Sequence, residues 1–175
     1  MAAHGVQGRG VLVDVAHHLN EDWQPVNLKL LKEIMDADGV VVEPGDMLLI
    51  NTGFTNQILA WGKNPDPERI LAMYPYLDAE DDDLLQWITD SQISALISDN
   101  YAVEGWPAGS DEPHTLLPIH HLCLFKLGIP LGELWHLQEL ATWLREHGRS
   151  RFLLTAPPLR LPGTQGSPLT PVATV

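Results

Sequence analysis

The apolar residues of this sequence fall into two kinds of pattern that alternate along the chain. Short and nearly uninterrupted apolar runs, typical of buried strands, occupy 10–16, 47–50, 93–99 and 151–157. Apolar residues at helical spacing predict helices over 27–38, 79–90, 118–128 and 136–147. Because strands and helices alternate irregularly, we expect one mixed α/β (α+β) domain that spans 1–175.

Residues at the ends of the predicted helices support their boundaries. Asn27 is a good N-cap for the first helix, and Gly39 stands just past its end. Five of the six residues at 78–83 are acidic, and negative charge near the start of the second predicted helix interacts favourably with the helix dipole. Pro118 suits the first turn of the third helix, which we expect to end at Gly128.

Other parts of the chain give weaker patterns. Prolines interrupt 54–78, which predicts loops and short helical turns, and 100–117 is a loop rich in glycine, proline and acidic residues. The closing residues 171–175 suit an edge strand. Apolar side chains cover most of the circumference of the helix at 118–128, so we expect that helix to be buried.

Composition removes several classes of function. The 175 residues include 10 basic and 23 acidic ones, and the net charge of -13 argues against a nucleic-acid partner. No apolar run reaches the ~20 residues that a membrane helix needs, and the first residues do not resemble a signal peptide. With a single cysteine, Cys123, we expect no disulfide framework and a cytoplasmic location.

The most suggestive residues for chemistry are two adjacent histidines and a later glutamate. His120 and His121 lie on the predicted third helix, and Glu133 follows His121 by twelve residues, beyond the glycine stop. Imidazole and carboxylate together form part of a Zn or Mn site. From spacing alone, the favoured interpretation is structural, with a core histidine bonded to the backbone and a glutamate near a helix start. Cys123 cannot readily join His121, because positions i and i+2 of a helix point apart.

Polar residues also follow the predicted strands. Thr52 and Gly53 come after one strand, and Asp99 and Asn100 end another. Such residues line a cleft in many proteins, although Asp and Asn also cap turns through their own backbone. Asp14 lies within an apolar strand, so its carboxylate must be paired or hydrogen-bonded. The sequence contains no phosphate loop, nucleophile elbow, C-x-x-C pair or H-E-x-x-H helix.

Taken in order, seven segments resemble one family, the metal-dependent cyclase-like hydrolases that include kynurenine formamidase and isatin hydrolase. No segment is specific alone, but together they extend over nearly the whole chain. They are GRGVLVDVA (8–16), EPGDMLLINTG (43–53), ISALISDNYAVE (93–104), HTLLPIHHLCLFKLGIPLGEL (114–134), ELATWL (139–144), FLLTAPPLRLPGTQGSP (152–168) and the final PVA (171–173).

The resemblance implies a swivelling β/β/α fold, assembled as a homodimer or larger homo-oligomer. It implies a divalent metal, Zn or Mn, held in part by His121 and Glu133, with His120 as the alternative histidine. It also implies a small-molecule substrate bound near Thr52, Gly53, Asp99, Asn100, Gly166 and Ser167. The activity implied is hydrolysis of an N-formyl amide or a strained lactam to a carboxylate, as in tryptophan catabolism to kynurenine.

One family motif is missing from this sequence. Members carry H-x-G-T-H/Q-x-D-x-x-x-H, which supplies most of the metal ligands and the histidine that acts as general base. His17 and His18 lack the G-T pair and the aspartate at the required spacing. We therefore expect the chain to correspond to the C-terminal part of a longer fold and to be inactive by itself. The alternative is a binding or oligomerisation module that keeps the fold without the chemistry.

Overall fold

The computed structural model describes residues 1–105 and 116–175, and a central sheet organises this part of the chain. This part of the chain contains the strands β1 (Gln7–Asp14), β2 (Pro25–Val26), β3 (Met47–Asn51), β4 (Tyr76–Leu77), β5 (Ala95–Ser98), β6 (Leu131–Gly132), β7 (Arg151–Thr155) and β8 (Val172–Thr174). Its α-helices are α1 (Val15–His18), α2 (Leu28–Ala37), α3 (Phe54–Trp61), α4 (Asp82–Ser91), α5 (Pro118–His120) and α6 (Gln138–Glu146). A 3-10 turn forms at Arg69–Leu71, and a π-helical stretch, His121–Leu127, continues α5.

Six of the described strands form the main sheet, in the order β6-β5-β3-β1-β7-β8. The first four are parallel to one another, whereas β7 and β8 are antiparallel additions at one edge. Strands β2 and β4 pair separately as a short parallel ribbon. This arrangement confirms the predicted mixed α/β fold.

Helices cover both faces of the parallel strands, which explains why those strands are almost continuously apolar. On one face, Val11 and Val13 of β1 belong to a core that includes Leu31 of α2 and Ile88 of α4. On the other face, Leu12 packs in a second core with residues of α6. Among the described residues, no helix combines the length and apolar character required to cross a bilayer.

Several helix and strand positions predicted from local sequence signals are confirmed. Helix α2 begins after Asn27, whose side chain accepts a hydrogen bond from the Leu30 N–H at 3.0 Å. Helix α4 begins within the acidic run. The terminal segment forms β8 on the sheet edge, as predicted. The predicted loop at 100–117 falls largely on residues 106–115, which lie outside the described residues.

Two expectations need comment. The region 54–78 was expected to form loops and short helical turns, and its longest helical part is the eight-residue helix α3, whose Phe54 and Thr55 are buried and whose start is bonded by Asp99, just after β5. The helix that begins at Pro118 is not buried all round. It meets the core through Ile119 and Cys123, and Phe125 on its outer side is 80% exposed.

Candidate functional site

Polar side chains gather where the parallel strands end. Strand β1 ends at Asp14, β3 at Asn51, and β5 at Ser98, and Glu133 directly follows β6. The carboxyl ends of parallel strands share one edge of a sheet, which is where open α/β sheets bind their ligands. The fold therefore brings distant parts of the sequence together at this edge.

At the β5 and β6 end of this edge, His120 lies between two carboxylates. Its Nδ1 is 2.7 Å from Oε1 of Glu104, and its Nε2 is 3.1 Å from Oε1 of Glu133. Glu104 is fully buried, whereas Glu133 is half-buried. The Glu133 Oε1 atom itself is inaccessible to solvent and lacks a hydrogen-bond partner of good geometry among the described residues.

These carboxylates change the protonation of the imidazole. The hydrogen bond with Glu104, followed by the interaction with Glu133, raises the pKa of His120 to about 9, while burial opposes the rise. At neutral pH the metal-free chain therefore holds an imidazolium between two carboxylates. A metal ion would have to displace the proton on the ring nitrogen that it binds.

The backbone beside both carboxylates adopts an uncommon conformation. Val103, just before Glu104, has φ of 60°, and Leu134, just after Glu133, has φ of 56°. This left-handed region is disfavoured for non-glycine residues, above all for a β-branched valine. Hydrogen bonds hold both positions, since the Leu134 N–H donates to the Asn100 carbonyl at 3.1 Å and the Val103 carbonyl accepts from Leu77 at the same distance. The surrounding structure thus fixes the two carboxylates at a cost in backbone strain.

His121, the histidine predicted to bind metal with Glu133, points elsewhere. Its ring stacks on Phe125, with centroids 5.4 Å apart and an interplanar angle of 13°. His120, the alternative residue, is the one beside Glu133. Among residues 1–105 and 116–175, no three His, Cys, Asp or Glu side chains are arranged to hold a metal ion together. The two carboxylates contact opposite nitrogens of the His120 ring, so the three side chains do not converge on one point. The predicted metal role of His121 and Glu133 stays a prediction.

Three of the predicted substrate-binding residues do come together, but they bind one another. The Asp99 carboxylate accepts hydrogen bonds from the Thr52 N–H at 2.7 Å and from the Thr52 hydroxyl at 2.8 Å. It also accepts from the backbone of Gly53 and from the Thr55 N–H at the start of α3. Burial raises the pKa of Asp99, and these hydrogen bonds oppose the rise. Asp99 therefore caps α3 and is fully enclosed.

Asn100 is likewise buried and internally bonded. Its side-chain amide donates to the Pro75 carbonyl at 3.0 Å, and its side-chain oxygen accepts from the Tyr101 N–H at 2.7 Å. Thr52 and Gly53, in contrast, line a cavity of about 200 Å³. Its other lining residues are Ala16, Leu19, Asn20, Glu21, Asn56, Tyr74 and Gln138. Of the residues predicted to bind substrate at the strand ends, Thr52 and Gly53 are the two that line this cavity.

Gly166 and Ser167 lie apart from the other predicted residues. They line a separate cavity of about 550 Å³, together with apolar residues such as Leu159 and Leu161. The Ser167 hydroxyl accepts a hydrogen bond from the Leu159 N–H at 2.8 Å, which shapes the terminal segment. Neither His120 nor Glu133 lines this cavity, so Gly166 and Ser167 do not share a site with these two residues.

Glu104 follows the polar residues that end β5, where the sequence indicated either a cleft or a turn cap, and it was not among the predicted site residues. It lies six residues beyond the end of β5, where a lone glutamate resembles any solvated loop residue. Its position in the SDNYAVE segment, 98–104, was the one signal that pointed to it. Its burial against the start of α5 could not be inferred without the tertiary structure.

Comparison with known proteins places the chain in a family. The Cyclase family model matches residues 1–105, which is more than half of the sequence. The chain belongs to the cyclase family. A crystal structure described as a novel cyclase is 32% identical, with a TM-score of 0.78, and the match covers 96% of this chain and 53% of that one.

Other solved cyclase-fold structures share the architecture at lower identity. Isatin hydrolase A from Ralstonia solanacearum is 18% identical with a TM-score of 0.67, and the match covers 95% of this chain and 59% of that one. An isatin hydrolase bound to the product analogue thioisatinate is also 18% identical, with a TM-score of 0.70 and coverages of 97% and 60%. This cyclase chain thus spans 53–60% of the length of these three structures. No curated protein gives a significant match in sequence.

Proposed function

We propose that this chain supplies the His120 and Glu133 part of a divalent-metal site in an amide-hydrolysing enzyme of the cyclase family. The observation that supports the proposal is the contact of 3.1 Å between His120 Nε2 and Glu133 Oε1 at the carboxyl edge of the sheet. The likeness to isatin hydrolases favours hydrolysis of a lactam such as isatin, and the resemblance to the wider family adds hydrolysis of an N-formyl amide.

The residues present fit one side of such a site. Imidazole nitrogen and carboxylate oxygen are suitable donors for both Zn²⁺ and Mn²⁺. The Glu133 Oε1 atom is inaccessible to solvent and lies 3.1 Å from His120 Nε2, so the two donor atoms are close enough to bind one ion once the ring nitrogen has lost its proton. His120 and Glu133 would be the protein donors, and the remaining positions would be filled by water, substrate or groups beyond these two.

Each residue then has a defined task. When bound, a divalent ion lowers the pKa of a water molecule and polarises an amide carbonyl. His120 presents Nε2 after losing its proton, and Glu133 contributes negative charge from the β6 edge. Thr52 and Gly53 border the 200 Å³ cavity beyond the end of β3, which has room for a small substrate, although neither His120 nor Glu133 lines it. We assign no general base, because the family motif that supplies it is missing from this sequence.

Metal content after equilibrium dialysis tests the proposal. The purified chain is dialysed against zinc or manganese and measured by mass spectrometry, beside a His120→Ala, Glu133→Ala double variant. His121→Ala is the matched control, since it removes the adjacent imidazole that stacks on Phe125. We expect one ion per chain in the parent and in the control, and loss of the ion in the double variant.

Other outcomes separate the alternatives. Loss of metal in His121→Ala, with retention in the double variant, would restore the predicted role of His121. Absence of metal from every sample would refute the half-site and favour the binding or oligomerisation module. If metal binds, hydrolysis of isatin and of an N-formyl aryl amide is then measured with and without the ion.

A further inference from the structure

Glu104 makes three hydrogen bonds to a single stretch of chain, the start of helix α5. Its Oε2 accepts from the Ile119 N–H at 2.8 Å. Its Oε1 accepts from the His120 N–H at 2.9 Å and contacts His120 Nδ1 at 2.7 Å. The side chain has no exposure to solvent. One buried carboxylate therefore binds both the backbone and the ring of the same histidine.

The backbone bonds follow from how a helix begins. The first N–H groups of a helix have no partner within it, and Pro118, at the first position, has no N–H. The N–H groups of Ile119 and His120 remain, and Glu104 accepts from both. The negative charge is also favourable at this end of the helix dipole. This capping fixes the position of the His120 backbone relative to Glu104.

The ring bond follows from the chemistry of the two groups. An ionised carboxylate can only accept hydrogen bonds, so the nitrogen that contacts Glu104 must carry a proton. That nitrogen is Nδ1, which leaves Nε2 as the atom directed at Glu133. With the backbone and one ring nitrogen both held, the imidazole has little freedom to turn.

We propose that Glu104 is a positioning residue, which holds Nδ1 of His120 protonated and so presents Nε2 for a divalent metal beside Glu133. The inference rests on the proposed function. A carboxylate bonded to the outer nitrogen of a ligating histidine fixes its tautomer and increases its basicity as a ligand. Glu104 would therefore strengthen metal binding without touching the ion.

Zinc titration by calorimetry tests this role with two matched variants. Glu104→Gln keeps the size of the side chain but removes its charge, and we expect about 10–100-fold weaker zinc binding. Asp46→Asn is the control, because Asp46 is another buried carboxylate, which accepts from the Glu43 N–H at 2.7 Å beside the opposite end of β3. The zinc affinity of Asp46→Asn should equal that of the parent chain, although both variants are expected to be less stable than the parent.

Nitrogen-15 NMR of the histidine rings supplies a readout that helix capping alone would not change. In the zinc-loaded parent chain, the His120 Nδ1 proton should be visible and shifted downfield by its bond to a carboxylate. In Glu104→Gln this proton should move upfield. The parent spectrum remains informative even if the glutamine variant folds poorly, because zinc bound at Nδ1 would by itself overturn the inference.

The outcomes also distinguish this inference from the proposed function. Equal zinc affinity in the parent and in Glu104→Gln would overturn the positioning role and leave the metal site standing. A parent chain with the Nδ1 signal but no zinc binding would refute the metal site and reduce Glu104 to a helix cap, which overturns the inference too. Weaker zinc binding in Glu104→Gln but not in Asp46→Asn, together with the upfield shift of the Nδ1 proton, supports the positioning role.

Discussion

The imidazolium between Glu104 and Glu133 should make the stability of the metal-free chain depend on pH. The pKa of His120 is raised from its ordinary value of 6.5 to about 9, first by the hydrogen bond with Glu104 and then by Glu133. Between these two values the folded chain holds a proton that the unfolded chain releases. The stabilisation is therefore fully present below about pH 6.5 and is lost as the pH rises through about 9.

The size of the effect follows from the shift and from the exposure of the ring. A rise of this size corresponds to about 3 kcal/mol if it is taken at full value. The side chain of His120 is 24% exposed, and solvent screening weakens an ion pair in that setting. We therefore expect the residue to contribute about 1–2 kcal/mol at pH 6 and almost nothing at pH 10.

Urea denaturation followed by tryptophan fluorescence measures this contribution, since the chain has six tryptophans. The free energy of unfolding is compared at pH 6 and pH 10, with a chelator present, for the parent and for His120→Gln. The parent should lose about 1–2 kcal/mol more than the variant over this interval. His121→Gln should behave as the parent. An identical pH dependence in the parent and His120→Gln would refute the reasoning.

Three further changes test other parts of the structure. A Cβ at Gly10 would lie 2.5 Å from the ring of Phe152, so Gly10→Ala should destabilise the fold by about 1–3 kcal/mol in urea denaturation. Asp99→Asn turns an amide donor toward N–H groups at the start of α3, so the free energy of unfolding, measured by thermal denaturation, should fall by about 1–3 kcal/mol. We propose that the chain forms homodimers or larger homo-oligomers through exposed apolar residues, so Phe125→Ser should reduce the sedimentation coefficient at micromolar concentration. A parent that already sediments as a monomer would contradict this last expectation.

The features that sequence predicted well are those with local causes. Helix α2 has its apolar residues on one face and an asparagine at its start, and both signals lie within twelve residues. The burial of Asp14 was also predicted, because a charged residue inside an apolar run must find partners. Those partners, Asn51 and Arg145, are 37 and 131 residues away in the chain, so their identity could not be read locally.

The histidine that faces Glu133 was harder to choose, because His120 and His121 are adjacent and both suit a helix. A shift of one residue turns a helical side chain by about 100°, so the choice depends on how the helix rests on the core. Ile119 and Cys123 are the residues that it buries, and this orientation places His120 against the sheet edge. The apolar outer side, with Phe125, makes the helix resemble a buried one in sequence, and that similarity produced the wrong expectation.

The segment that follows β5 connects the stability of this fold with the geometry of its candidate site. Asp99 caps α3, and Glu104, five residues later, caps the helix that carries His120. Both carboxylates satisfy N–H groups that would otherwise cost free energy in a buried helix start. A chain that kept the fold but lost metal chemistry would still need these caps, whereas the bond from Glu104 to the His120 ring adds little to capping. Under the proposed metal-binding function, that third bond would hold Nδ1 of His120 protonated as well as stabilise the metal-free chain, whereas capping requires only the two backbone bonds.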